Sequence, residues 1–403
     1  MHWKTRELAS VCEVFTDGDW IESKDQSDSG VRLIQTGNVG EGVFKDRSEK
    51  ARFVSSETFT RLRCTEIVPG DCLISRLPDP VGRACIVPDT GESMITAVDC
   101  TIVRFQKDTY LPELFAYYSQ ADSYLRAVEA ETTGTTRNRI SRARLGQVAV
   151  PVPPLPEQRR IVAILDKAFA GIATSKANAE KNLQNAREVK DTYVTTLFSA
   201  AQNWAVGPLS SFVESISTGP FGSMLHKSDY VDDGMPLVNP INIVAGSIVP
   251  TEEKQVDEAT AVRLRSYLLR RGDIVVGRRG EIGRCAVVSD TQDGWLCGTG
   301  CFFIRPSSQI EPSFIAHLIR SAPYRARLEA LSTGTTMQNL SNSALSGLEV
   351  ALPGLAEQKR LLAAIDAVNF QTNQLCEIYE RKLTALDELK RSLLHQAFSG
   401  GLS

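Results

Sequence analysis

The 403-residue chain is 42% hydrophobic and 23% charged, a folded-protein composition with length for about two to four domains, which excludes disorder as the default state. Its formal net charge of −3, from 45 basic and 48 acidic residues, excludes a surface that binds polyanions indiscriminately but leaves room for local basic patches. No apolar run reaches the length of a membrane span, and the opening MHWKTRELAS lacks an apolar signal segment, so a cytoplasmic location is expected.

Short β-type segments bounded by Gly, Pro and Asp come first: GDCLISR from Gly70, GRACIV from Gly82 and CTIVRF from Cys100. A helical stretch, PELFAYYSQADSYLRAVEA, leads into the polar loop TGTTRNRIS, Thr133 to Ser141. Arg137, Arg139, Arg142 and Arg144 follow in a stretch with no acid between Thr132 and Pro156. A strand pattern ending in proline then gives way to PEQRR, where Pro156 and Glu157 predict a helix N-terminus. Leu165, Ile172, Ala179, Ala186 and Tyr193 recur seven apart. An unbroken helix over this segment of about 45 residues would be roughly 65 Å long. If it instead folded back on its own domain, Gly171 is the expected break.

The plan then starts again. Trp204 matches Trp3, the RGD of Arg271 to Asp273 matches the PGD of Pro69 to Asp71, Gly283-Arg284 matches Gly82-Arg83, and Asn242 matches Asn38, at offsets that drift. GDIVVG and CFFIR supply β-type segments, and PSFIAHLIRSAPYRARLEAL leads into TGTTMQNLS, Thr333 to Ser341. From there the register is gapless: Ser141/Ser341, Leu145/Leu345, Pro153/Pro353, Glu157/Glu357, Gln158/Gln358 and Arg160/Arg360 are identical pairs. Loops that change length suggest a variable reader, and a segment that keeps its length suggests a ruler. The second ruler has the stronger seam, alternating by four and three and mostly apolar: Leu361, Ile365, Val368, Thr372, Leu375, Tyr379, Lys382, Leu386, Leu389 and Leu393. Paired with its counterpart, it would bury that stripe. The expected domains are residues 1–154, 155–202, 203–353 and 354–403.

Catalytic signatures are absent. Nine scattered cysteines fit a reducing compartment, and Cys285, Cys297 and Cys301 read as buried thiols rather than as a metal site. GRRGEIG, Gly277 to Gly283, lies between strand patterns and reads as a hairpin, since a dinucleotide-binding turn needs a helix after it. Asn239-Pro240-Ile241-Asn242 resembles the Asn-Pro-Pro-aromatic loop of amino-methyltransferases but lacks its second proline and its aromatic. His2, His226, His317 and His395 are dispersed. No covalent chemistry, metal or cofactor is expected in this chain.

Two variable domains, each followed by TGTT-x-x-x-[IL]-S, a short strand, a P-x-L-[PA]-E-Q-[RK]-R helix start and a long helix ending in FS, resemble the DNA-specificity (HsdS) subunit of type I restriction-modification systems. TGPFGSMLHKSDY, Thr218 to Tyr230, is similar to the opening of its recognition domains. The resemblance covers essentially the whole chain. It implies an α+β fold: two globular mixed α/β target recognition domains joined by two long, antiparallel, coiled-coil-like helices, with an internal pseudo-two-fold repeat. It also implies a non-catalytic subunit whose domains each read one half of a bipartite, asymmetric double-stranded DNA site. The helices would set the gap, with Leu165, Ile172, Tyr193, Leu361, Ile365, Val368, Leu375, Tyr379, Leu386 and Leu393 on the seam and partner-binding face. Two methyltransferase subunits would dock on the helices and motor-endonuclease subunits would join, so that S-adenosylmethionine, ATP and Mg belong to those partners.

On that reading the expected DNA contacts are Arg76, Arg83, Arg137, Asn138, Arg278, Arg279, Arg284, Gln338 and Asn339, with Thr135, Thr136, Thr335 and Thr336 on the backbone and Lys227 and Asn242 as further candidates. The arginines after the first TGTT are not kept in the second, where Met337, Gln338, Asn339, Asn342 and Ala344 stand. Two rivals remain: a non-DNA coiled-coil adaptor carrying two α/β interaction modules, and the specificity segment of a single-chain restriction enzyme, for whose catalytic domain the chain has no length left.

Overall fold

GDCLISR becomes a central strand, Cys72–Ser75, every residue of which is buried. An unbroken apolar run is what a strand covered on both faces requires. It pairs antiparallel with Ala84–Ile86 and with Cys100–Phe105, which in turn pairs with Cys12–Asp17. A second four-stranded sheet runs Gln26–Ser27, Arg52–Val54, Val31–Ile34 and Met94–Thr96, its last pair parallel. These elements belong to a unit comprising Met1–Glu180 and Glu380–Ser403, and the other unit is Lys181–Tyr379. The structure, a computed structural model, describes residues 3–134, 138–199, 203–221, 224–250, 255–332 and 339–402.

The second unit repeats the strand order. Val213–Thr218, Cys301–Pro306, Ile274–Gly277 and Cys285–Val287 form one antiparallel sheet; Tyr230–Val231, Gln255–Val256, Met235–Val238 and Leu296–Cys297 form the other, again closing on a parallel pair. Its hairpin Ile243–Val244 with Ser247–Ile248 matches the antiparallel bridge between Val39 and Phe44 in the first unit.

The repeated GD motif has a structural cause. Gly70 and Gly272 adopt φ of 89° and 87°, where a side chain would be strained. The following aspartates are buried: Asp71 takes a bidentate pair from Arg104 at 2.7 and 2.8 Å and a bond from the backbone N–H of Val68. Asp273 takes the same from Arg305, at 3.2 and 3.0 Å, and from Arg270 N–H. Each expected helical stretch divides in two, Pro112–Tyr118 with Asp122–Ala130 and Pro312–Arg320 with Ala322–Leu331. In the second copy Pro323 stands in the first turn of the new helix, where its missing N–H would otherwise interrupt a continuous one, and Ser321 is the extended residue between the two.

Both rulers are single helices, Leu155–Ser199 and Leu355–Ser399. Gly171 does not break the first; it is exposed and tolerated there. In the first unit the two run antiparallel: Arg160 meets the Leu402 carbonyl, Lys390 lies over the Phe169 ring and Lys176 pairs with Asp387. In the second unit Val194 and Phe198 share a core with Leu361, Leu362 and Ile365. Leu165, Ile172, Leu361 and Ile365 are buried, and Tyr193, Val368, Tyr379, Leu386 and Leu393 are half-buried. Leu375 departs from the expected seam and is 43% exposed; Leu389 is exposed too. In the first helix the seven-residue series is buried at Leu165, Ile172, Ala179 and Ala186 and half-buried at Tyr193; in the second, Ile365 and Thr372 are buried and Tyr379, Leu386 and Leu393 half-buried. Among the described residues no helix is long and apolar enough to cross a membrane.

Candidate nucleic-acid interface

The TGTT loop of the first copy is closed by Thr133 and Arg139, which exchange backbone hydrogen bonds at 2.9 and 3.0 Å. The shared serine beyond it is an N-cap: Ser141 Oγ accepts from Arg144 N at 3.3 Å and Ser341 Oγ from Ala344 N at 3.1 Å, each starting a short helix that buries Leu145 or Leu345. The segment after each loop is tied to the end of the central strand, Ile140 N to Arg76 O and Leu340 N to Arg278 O. Thr135, Thr136, Arg137, Thr335, Thr336 and Gln338 lie outside the described residues.

Matched arginines meet different fates at that junction. Arg76 is 4% exposed, donates to the Val98 carbonyl and pairs with Asp17 at 3.4 Å; its Nε is buried with no acceptor, and burial pulls its pKa down. Arg278 is half-buried, lies 5.5 Å over the Phe302 ring and donates from Nε to Asn339 Oδ1 at 3.3 Å. Next to it Arg279 is exposed, with no ion pair among the described residues, and bridges through its backbone to Asn339. The structure therefore brings Arg278, Arg279 and Asn339 together on one edge.

Other candidates are scaffold. Arg83, 8% exposed, spends Nε on Val39 O, Nη1 on Leu77 O and Pro80 O, and Nη2 on Thr36 O, which commits four of the five donors of its guanidinium to the backbone of its own unit. Arg284 donates to Pro240 O at 3.0 Å and to Glu281 at 2.6 Å. Asn242 is buried, bonded to Asn239 N and Val249 O, as Asn38 is to Gln35 N and Lys45 O. Lys227 and Asn138 are exposed. The acid-free arginine stretch is answered from elsewhere in the chain: Arg139 pairs with Asp99 at 2.8 Å, Arg142 approaches Asp17 and Arg144 approaches Glu131.

Sequence reasoning missed two exposed aromatics. Trp20 is 70% and Phe221 63% exposed, at matched places just after the first strand of each main sheet. Each is preceded by a glycine pressed on backbone: a Cβ on Gly18 would stand 2.4 Å from Ala97 O, and one on Gly219 2.0 Å from Gly298 O. The signal was available, because Trp20 and Phe221 are separated by the same interval as Trp3 and Trp204. Among the described residues no group of three or more His, Cys, Asp or Glu could hold a metal ion, and burial pushes the Cys285 thiol up to about 12.

The family model of the type I restriction modification DNA specificity domain matches residues 1–184 and again 202–383. The specificity subunit of the type I restriction enzyme EcoBI from Escherichia coli is 20% identical over 324 residues, covering 75% of this chain and 68% of its own. The putative MjaX specificity subunit of Methanocaldococcus jannaschii is 20% identical over 99% of this chain and 93% of its own. Among solved structures, a chain from work on complex assembly and conformational transition of the type I R-M system superposes with a TM-score of 0.79 at 18% identity, covering 100% of this chain and 98% of that one. The HsdS subunit of Thermoanaerobacter tengcongensis superposes with 0.61, also at 18% identity, over 99% and 97%. At these identities the structural likeness establishes the fold.

Proposed function

The chain belongs to the type I restriction modification DNA specificity family, and from that premise we propose that each of its units reads one half of a bipartite, asymmetric double-stranded DNA site. The observation that carries this reading is one frame with two surfaces: the same sheet order presents Arg278, Arg279 and Asn339 in the second unit, where the first buries Arg76 and pairs its neighbouring arginines internally. Different exposed groups on one frame suit two different half-sites, with arginine donating to guanine and asparagine to adenine. Trp20 and Phe221 join the contact set, as flat side chains held out from the sheet for stacking or for apolar contact with a thymine methyl.

The long helices set the interval between half-sites. They also dock two methyltransferase subunits, for which exposed Phe370, Leu375, Ile378 and Leu389 on the second helix offer apolar positions. Motor-endonuclease subunits complete a cytoplasmic complex, and S-adenosylmethionine, ATP and Mg act on those partners while this chain remains non-catalytic. The test is a gel-shift titration of the chain with two methyltransferase subunits against a randomised duplex pool at several salt concentrations. A bipartite preference is expected, with Arg279→Ala weakening binding by about 1–3 kcal/mol through one half-site only. No sequence preference at any salt concentration would overturn the reading.

A further inference from the structure

The second unit contains a cavity of about 780 Å³ bounded by the last turns of the first long helix, the loop of the Ile243–Ile248 hairpin, the segment 281–285 and the helices Pro312–Arg320 and Ala322–Leu331. The matched place in the first unit is plugged. Tyr117 and Phe169 pack edge to face there with ring centroids 5.1 Å apart, Tyr117 is bonded to Asp166, and Lys390 covers Phe169. The 200-residue offset, kept also by Leu111 and Glu311 in their bonds to Gln158 and Gln358, puts His317 where Tyr117 stands, Asn369 where Phe169 stands, Arg320 where Gln120 stands and Lys190 where Lys390 stands. Two aromatic rings have been exchanged for smaller polar groups, and a neutral amide for a guanidinium.

The lining is built for an anion. Among the described residues, Lys190, Arg284, Arg320 and Arg325 face two carboxylates, Asp191 and Glu281. Glu281 is held by Arg284 at 2.6 Å, while Arg325 reaches Glu329 only at 3.9 Å. Lys190 and Arg320 have no ion pair among the described residues; Arg320 has only His317 Nδ1, at 3.4 Å. His317 is largely neutral at pH 7, its pKa pushed down to about 4 by burial, Arg320 and Lys190, so it withholds a further positive charge. Lys190 and Arg320 are half-buried, and a bound anion supplies the counter-charge they lack among the described residues. One group asks for something more: Asn369 Oδ1 is buried and accepts no hydrogen bond. The volume falls in the range of small-molecule sites, about 300–1,000 Å³, and apolar Val194, Ile243 and Ile282 line part of the wall.

We propose that this cavity binds a phosphorylated small molecule, whose phosphate is held by Arg320 and Lys190 and whose hydroxyl or amino group donates to Asn369 Oδ1. The site is private to the second unit and is independent of DNA reading. The probes are adenosine monophosphate and inorganic pyrophosphate, titrated calorimetrically into the full chain. Both are expected to bind, with Arg320→Gln weakening each by about tenfold or more, as loss of a charge-assisted phosphate contact does. Asn369→Ala should weaken adenosine monophosphate and leave pyrophosphate unchanged. The pair His317→Tyr with Asn369→Phe, which rebuilds the plug of the first unit, should abolish binding while the melting temperature holds or rises. Absence of binding by either probe overturns the proposal. So does a result in which an unrelated duplex binds through Arg320 and the small probes do not, since the cavity would then hold a backbone phosphate of DNA.

Discussion

Arg76 and Arg278 end matched strands and receive the same backbone hydrogen bond, yet one turns inward to Asp17 and Val98 while the other lies over Phe302 beside exposed Arg279. The glutamines at the helix starts behave in the opposite way. Gln158 accepts from Leu111 N and donates to Thr109 O and Pro153 O, all at 2.8 Å, and Gln358 repeats this with Glu311 N, Gln309 O and Pro353 O. A buried polar group left without a partner costs about 1–3 kcal/mol, so the joint between reader and helix is held to one solution. An exposed side chain on the same frame can change at little cost.

The comparison breaks first at the buried aspartates. Asp273→Ala would strand Arg305 and the Arg270 N–H, and a loss of about 3–5 kcal/mol in urea unfolding is expected. A loss under ~1 kcal/mol would mean that the repeated GD is a turn motif and no more. Next, Gln158→Ala and Gln358→Ala should each cost about 2–4 kcal/mol and by similar amounts, because the three bonds are matched. Unequal losses would show that the two joints differ energetically despite their geometry.

A smaller effect separates the two units by pH. The unfolded chain protonates His317 near its ordinary value of 6.5, whereas the folded unit resists until about 4. Stability from this source is complete above the unfolded value and is lost as pH falls through the interval, by about 1–2 kcal/mol once partial exposure is allowed for. Urea midpoints at pH 7 and pH 5 should differ for the chain, and His317→Tyr, which copies the first unit, should flatten that difference. Smallest, Ser341→Ala removes an N-cap and is expected to cost about 1 kcal/mol, read as a lower melting temperature.

Much of this frame was legible because repetition filters out surface noise. Gln158, Ser141 and Asp71 were marked by their second copies, and each has a buried or capping role. Side-chain direction was not legible. Arg83 takes carbonyls from Thr36 and Val39, far away in sequence, and nothing local distinguishes such an arginine from one facing a ligand. Arg139 looked unpaired until folding delivered Asp99. Leu375 fits the alternation of four and three, yet burial on this helix follows the sevenfold series Ile365, Thr372, Tyr379 and Leu386, and Leu375 lies beside that stripe. The cavity went unseen because it is defined by a lost pair, Tyr117 and Phe169, which a search for shared residues passes over.

The first unit draws its closing pieces from the far end of the chain: Leu394 and Ala397 are in its core, and the Phe398 ring meets Tyr118 at 4.9 Å. On the ribosome, which makes domains from the N-terminus onward, this unit is begun before the second and cannot be finished until residues 394–398 have been made. In the meantime its core is open where those three side chains belong. A chain cut short before Leu394 therefore damages the unit begun before its neighbour, although the break falls beyond the second unit's last residue, Tyr379.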